Sequence, residues 1–259
     1  MADFSAAPVK RMRSGMFSEL THNTISITWN ELKAYYTQPM AYVVAAVFIA
    51  ITGFFFVDSL SGPLPLANLY GYLREIRWVL LVLVIGSVLT MRTIAEEQKL
   101  GTLELLLTSP VRDWEIVLGK YIATLLFFYS LLFLTLFYPL LLMIFASPDL
   151  GPMWTGYIGI ALAGSAFLAI GILASSLTNN QIVAAVLTLG LLFGLWFLYL
   201  AEGFIGGLPG NAFAYISPRS HYDALVRGIL DTGSVVYFIT VTIAALFVAT
   251  RSLESRRWR

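Results

Sequence analysis

The side chains that could carry chemistry are few and far apart. Asp58, Asp149, Glu202 and Asp223 each stand alone beside an apolar run, whereas acid–base or metal-assisted catalysis needs groups that converge. A lone carboxylate at a helix end serves as a solvated or capping group. His22 and His221 are the only imidazoles, at opposite ends of the chain, and there is no Cys. That excludes disulfides, thiolate metal sites and a Cys nucleophile. No catalytic residue, metal centre or cofactor held by this chain is expected. Gly119-Lys120 is followed by Tyr121 and lacks a Gly five residues earlier, so the phosphate-cradling loop G-x-x-x-x-G-K-[ST] is missing. Any ATP-driven work must therefore draw on a separate polypeptide.

Two polar segments are more ordered than loops need to be. In the first, Ile25, Trp29, Leu32 and Tyr36 recur at i, i+4, i+7 and i+11, one stripe of an α-helix. Asn23, Ser26, Asn30 and Lys33 take the other sides. This predicts an amphipathic helix in the membrane interface, with Trp29 and Tyr36 at headgroup depth. It serves either as a simple anchor or as a functional linker. The second segment runs from Arg92 to Lys120. Gly101 breaks its first helix, Thr102 can cap a short new one, and Glu104 lies in the first turn, where carboxylates are favoured. Leu103, Leu105, Leu106 and Leu107 make that helix apolar nearly all round. Ser109-Pro110 then ends it and starts another through Trp114 and Ile116. A Leu-rich helix between two breaks needs a surface to cover it. That surface is either a partner or this protein's own helices.

Composition says where these segments sit. Of the 259 residues, 58% are hydrophobic and only 12% charged, against roughly a quarter charged in soluble domains. Mean hydropathy is +0.80, so lipid must cover much of the surface. A net charge of +1 gives no field to draw the chain to nucleic acid. Lys10, Arg11 and Arg13 have no apolar stretch behind them until Pro39, which predicts a retained N-terminus rather than a cleaved signal.

Charge-free runs locate the crossings, since a helix needs about 20 apolar residues to span the hydrocarbon. They are Met40–Val57, Trp78–Met91, Tyr121–Pro148, Leu150–Ala201 divided at Thr178-Asn179-Asn180-Gln181, and Thr232–Thr250. Pro139 predicts a kink in the third span. The 14 residues of Trp78–Met91 fit either a full crossing or a re-entrant segment. A full crossing gives an all-α, six-span bundle in a single domain. Residues 39–58, 76–94, 119–146, 153–177, 182–201 and 233–250 then form the spans, 1–38 the N-terminal tail and helix, 95–118 a connecting segment and 202–232 an external one. Twelve of the 16 basic residues then share one side, and Arg74, Arg77, Arg219 and Arg227 the other. This bias puts both termini in the cytoplasm. None of the runs holds Asp, Glu, Lys, Arg or His, which speaks against ion-coupled transport or a proton relay.

Ala161, Ser165 and Ala169, with Gly164 and Gly171 nearby, form a small-residue face suited to close helix approach, within one chain or between subunits. In the external segment, Gly203, Gly206, Gly207, Pro209 and Gly210 predict a broken, re-entrant start. Ser217-Pro218 then opens a capped helix bearing an i,i+4 ladder of Arg219, Asp223, Arg227 and Asp231. Tyr222, Leu225, Val226, Ile229 and Leu230 form its apolar face. That helix is read as scaffold or as a gate.

The stretch from Glu96-Glu97-Gln98-Lys99-Leu100-Gly101-Thr102 through Leu103-Glu104-Leu105-Leu106-Leu107-Thr108-Ser109-Pro110, continuing in kind to Lys120, resembles the signature of type-2 ABC exporter permeases. The likeness is greatest to permeases of gliding-motility-associated exporters and of nitrous-oxide-reductase maturation. Asn30-Glu31-Leu32-Lys33, directly before span one, fits too. Order and spacing match over residues 25–200; beyond that the likeness rests on topology. The resemblance implies a multi-pass permease of the cytoplasmic (inner) membrane that dimerises with a second copy or homologue. Each half would rest on a separate ABC ATPase (nucleotide-binding) subunit that holds ATP and Mg, and an extracytoplasmic accessory subunit is an option. It further implies that Gly101, Thr102, Glu104, Leu106, Leu107 and Pro110 form a coupling helix docked on the ATPase. Glu96 and Glu97 would brace it against the N-terminal helix through Lys33. The alternative is a non-transporting scaffold that anchors a cytoplasmic partner.

Overall fold

The computed structural model describes residues 9–60, 76–102, 111–145 and 149–257, and among these there is helix and no strand. In lipid a backbone must satisfy its own hydrogen bonds, which makes helix the only open-chain solution. Six helices are long and apolar enough to cross a membrane: Pro39–Leu60, Arg77–Leu100, Asp113–Phe145, Leu150–Leu177, Gln181–Ile205 and Thr232–Ser255. An N-terminal helix, α1 (Val9–Thr37), precedes them and turns at Gln38 into α2 (Pro39–Leu60).

The second span is α3 (Ile76–Thr90), a turn over 91–94, and α4 (Ala95–Leu100). Its central stretch is 72% buried and that of the fourth span, α7 (Leu150–Leu177), 78%, against 22% for the first, fifth and sixth. These two spans therefore form the centre of the bundle. A span shielded by protein needs fewer lipid-compatible residues, which is why its charge-free run is short. Its far end is tied to span one by Arg77 and Asp58, 2.7 Å apart.

The third span is α5 (Asp113–Thr135) followed, after Leu136, by α6 (Phe137–Phe145). The break answers to Pro139, which has no N–H to give the carbonyl of Thr135. Tyr157 of α7 supplies the missing donor, its hydroxyl 3.0 Å from that oxygen. The helix begins at Asp113, not at Ser109-Pro110, and so carries Asp113, Glu115 and Lys120 into the bundle.

The small-residue face of α7 packs within the chain. A Cβ on Gly164 would fall 2.3 Å from the Phe128 ring, and one on Gly171 only 2.1 Å from Thr90 Oγ1. Span five, α8 (Gln181–Phe197), starts with Asn180 accepting from the Ile182 N–H (2.9 Å). A 3₁₀ turn, Leu198–Leu200, leads to α9 (Ala201–Ile205) and α10 (Gly207–Ile216). Gly206 and Gly207, at φ +64° and +62°, make the turn between them, a conformation that residues with a Cβ resist. Phe204 and Leu208 are left 88% and 87% exposed, which suits an environment of lipid or another protein.

The next helix, α11 (Pro218–Val226), is shorter than its charge ladder predicts. It ends before Gly228, and Asp231 turns away to cap α12 (Thr232–Arg257), accepting from the N–H groups of Gly233 (3.2 Å) and Ser234 (3.1 Å). Arg227 pairs with Asp223, while Arg219 lies over the Tyr199 ring. Ser217 does not cap α11; its hydroxyl donates to the Trp196 carbonyl (3.0 Å). Tyr222, Leu225 and Val226 are buried against α7, with Leu225 directly over Gly159, whereas Ile229 and Leu230 lie past the helix and stay exposed.

The end of span two, the start of span three and the end of span six lie at one end of the bundle. Gln98 Nε2 and Ser252 Oγ both donate to the carbonyl of Ser176, at 3.2 and 3.3 Å, and Lys120 joins the same region to α1.

Candidate functional site

The bundle end that carries the polar segments is organised around Lys120. Its position on α5 follows from Gly119, because α1 crosses α5 at that residue. A Cβ there would sit 2.7 Å from Ile27 Cγ2 and 3.3 Å from the Thr24 carbonyl. The crossing is fastened by Thr28 Oγ1 to the Gly119 carbonyl (3.2 Å) and by Tyr35, whose hydroxyl meets the Leu89 carbonyl (2.9 Å) and Thr124 Oγ1 (3.2 Å). Burial pushes the Tyr35 phenol far above its usual range, so it acts as a neutral pin between α1, α3 and α5.

With α1 held so close, Lys120 is 2% exposed and must be neutralised in place. Its Nζ lies 2.7 Å from Glu97 Oε1 and 3.4 Å from both carboxylate oxygens of Glu31. One ammonium thus joins α1, the extension of span two and the start of span three. Glu97 is joined to the N-terminal helix through Lys120 and Glu31 rather than through Lys33. Positions two apart on a helix do not share a face, and Lys33 lies instead over the Trp29 ring, 5.2 Å from its centroid. Glu96 pairs with Arg92 (2.8 Å).

The stretch before Gly101 is positioned from across the bundle. Ser175 of α7 accepts from the N–H groups of Ile94 (3.2 Å) and Ala95 (3.0 Å), supplying the cap that the start of α4 lacks locally. Gly101, at φ +71°, ends α4 in the left-handed conformation that closes helices. Thr102 is exposed and its hydroxyl returns to the Glu97 carbonyl (3.4 Å). Glu104, Leu106, Leu107 and Pro110 lie outside the described residues. Beyond them Glu115, fully buried, takes the Arg112 N–H (2.9 Å) and starts α5. Both flanks of 103–110 are therefore anchored in the bundle.

The N-terminal stripe is divided between surface and core. Ile25, Trp29 and Tyr36 are 65%, 57% and 43% exposed, and Leu32 is half-buried against the core. Ile27, Thr28, Glu31 and Tyr35 face the bundle. Sequence reasoning missed Lys120 as a structural centre. No signal along the chain separates it from the other basic residues at span boundaries.

No group of three or more His, Cys, Asp or Glu side chains that could hold a metal occurs among the described residues. A probable multidrug ABC transporter permease of Escherichia coli K12, YbhS, is 26% identical over 189 residues, 69% of this chain and 49% of the relative, and the same protein of strain O157:H7 matches equally. The chain spans about half the length of the curated relatives it matches. Residues 25–253, from the N-terminal helix through the sixth span, match the family described as "ABC-2 family transporter protein". This multi-pass helical chain belongs to that family and is an ABC transporter membrane subunit.

Proposed function

We propose that the chain is the permease half of an ATP-driven exporter of the cytoplasmic membrane, with both termini cytoplasmic, working as a dimer on separate nucleotide-binding subunits. The observation that carries this reading is the junction of Glu31, Glu97 and Lys120 immediately beside segment 103–110. A partner seated on that segment pushes on a point where α1, span two and span three are joined by one buried ammonium. Its displacement therefore passes to three elements together, as rigid-body switching requires. Glu104, Leu106, Leu107 and Pro110, with Gly101 and Thr102, form the docking element. ATP and Mg belong to the partner, and this chain contributes no catalytic group. Central stretches of the spans without charge favour an apolar or amphipathic cargo, which fits a multidrug role such as that named for the relatives.

The test is purification of the tagged chain from native membranes in mild detergent. A stoichiometric P-loop ATPase, lost with Leu106→Asp and Leu107→Asp, supports the proposal, as does ATP-dependent transport by the reconstituted pair. Partners lacking a P-loop, from a preparation free of detergent stripping, would instead establish the scaffold reading.

A further inference from the structure

His221 is buried where α10, α11 and the first turn of α12 meet, at the end of the bundle opposite Lys120. Its ring stacks on Tyr237, with centroids 4.1 Å apart, and meets the Tyr215 ring edge-on at 5.0 Å. Nε2 lies 2.9 Å from the Tyr215 carbonyl. A carbonyl can only accept, so Nε2 carries the proton in the neutral ring. Nδ1 is then an acceptor, and the Ser234 hydroxyl, 3.3 Å away, donates to it. The same hydroxyl lies 3.3 Å from Asp231 Oδ2, yet it has a single hydrogen to give. With the ring neutral, that hydrogen goes to His221. With the ring protonated, Nδ1–H donates to Ser234 and the hydroxyl turns to Asp231. Both ring nitrogens are satisfied in either state, so the ring can change charge without leaving its place.

Asp231 is exposed and ends this chain at solvent. Its carboxyl is held below its usual range, first by the Gly233 N–H, so it is an anion through mildly acid pH. The other charged groups nearby are engaged elsewhere, Arg219 over Tyr199 and Asp223 with Arg227. The helices α7 and α8, which also pack on α11, carry no charged residue, and Tyr157 of α7 bonds to Thr135.

We propose that His221 is a pH-responsive latch between α11 and span six, loaded with its proton through Asp231 and Ser234. A proton arriving on Asp231 Oδ2 passes to Ser234 Oγ as that hydroxyl gives its own hydrogen to Nδ1. This leaves an imidazolium, a hydroxyl turned to Asp231 and the carboxylate restored. Charge-assisted hydrogen bonds are roughly twice as strong as neutral ones, so acid at this end of the bundle draws α10 and α11 more firmly onto α12. The inference rests on the packing of these helices and not on ATP-driven export, so the test needs no ATPase.

The chain has two imidazoles, and His22→Gln leaves one. Nitrogen NMR of that full chain in nanodiscs, labelled in the imidazole and titrated from pH ~8 to ~5, is paired with amide exchange over residues 233–235. The ring should hold its proton on Nε2 at the alkaline end and carry protons on both nitrogens at the acid end. Exchange, corrected for its intrinsic pH dependence, should slow about fivefold over the same titration, the step from a neutral to a charge-assisted hydrogen bond. Ser234→Ala should leave the ring titrating but free the exchange from it. His221→Phe, which keeps the stack on Tyr237, should remove the pH dependence. A ring that keeps one form throughout, or exchange that ignores the ring's titration, overturns the proposal with no substitution at the site. Exchange that still follows the ring in a Ser234→Ala chain overturns the route through Ser234.

Discussion

Lys120→Met removes the junction's only cation while keeping the length of its stem. Opposite unit charges at the observed 2.7 and 3.4 Å attract by about 5–6 kcal/mol each at an effective dielectric near 20. The carboxylates repel one another, and removing lysine from water costs several kcal/mol, so most of that attraction is offset. What the variant adds is two carboxylates facing each other without a counterion. Breaking a fully buried pair costs about 3–5 kcal/mol. Glu31 and Glu97 are 26% and 28% exposed and can rehydrate, which lowers the expected loss to about 2–3 kcal/mol. For a chain of this size that is a drop of about 4–12 °C in melting temperature, read by thermal unfolding in nanodiscs. Lys120→Met with Glu97→Gln should recover part of the loss, because only one carboxylate then lacks a partner. A single variant that melts like the parent, or a double-mutant cycle with coupling below about 0.5 kcal/mol, would refute the account of the junction.

Three further perturbations probe other parts of the structure. Gly119→Val drives a side chain into Ile27 and the Thr24 carbonyl and should lift α1 from α5, seen as lost crosslinking between cysteines placed at 28 and 119's neighbour 118; unchanged crosslinking would count against the crossing. Gly171→Ala overpacks Thr90 and should destabilise by about 1–3 kcal/mol, with part of that restored by Thr90→Ala, as measured by denaturant or heat. Asp231→Ala removes the cap of α12 and should raise amide exchange over residues 232–235. The Asp231 carboxyl is held below its usual range first by the Gly233 N–H and then by Ser234. Its native pKa is thus lower than its unfolded one. The stabilisation is present above pH ~4 and is lost as the pH falls below it. Asp231→Asn should flatten that acid limb, and an unaltered slope would show that the cap carries none of it.

Most of the bundle was legible because lipid imposes a rule that each residue answers by itself: a crossing helix must be apolar along its length. The rule gave the six crossings, while the polar turn at Asn180 and the missing N–H of Pro139 marked where the runs divide and break. It was weakest at the second span, since a helix sheltered by α7 escapes the lipid requirement that makes spans readable. The break at 91–94 was not foreseen because nothing local makes it. Its cap is Ser175, some eighty positions along the chain, and no glycine or proline marks it. The ladder on α11 misled for the opposite reason. Its spacing suits a helix through Asp231, but Gly228 ends the helix first and Asp231 is more useful to the next one. Lys120 shows the deeper limit. Read along the chain it is one more basic residue at a span boundary, indistinguishable from Arg92 or Arg112. Only the packing of α1 onto Gly119 closes it from water, and only then do Glu31 and Glu97, 66 residues apart, become its partners. Charge at a span boundary is thus visible to composition. Its use as a joint emerges only from which helices touch.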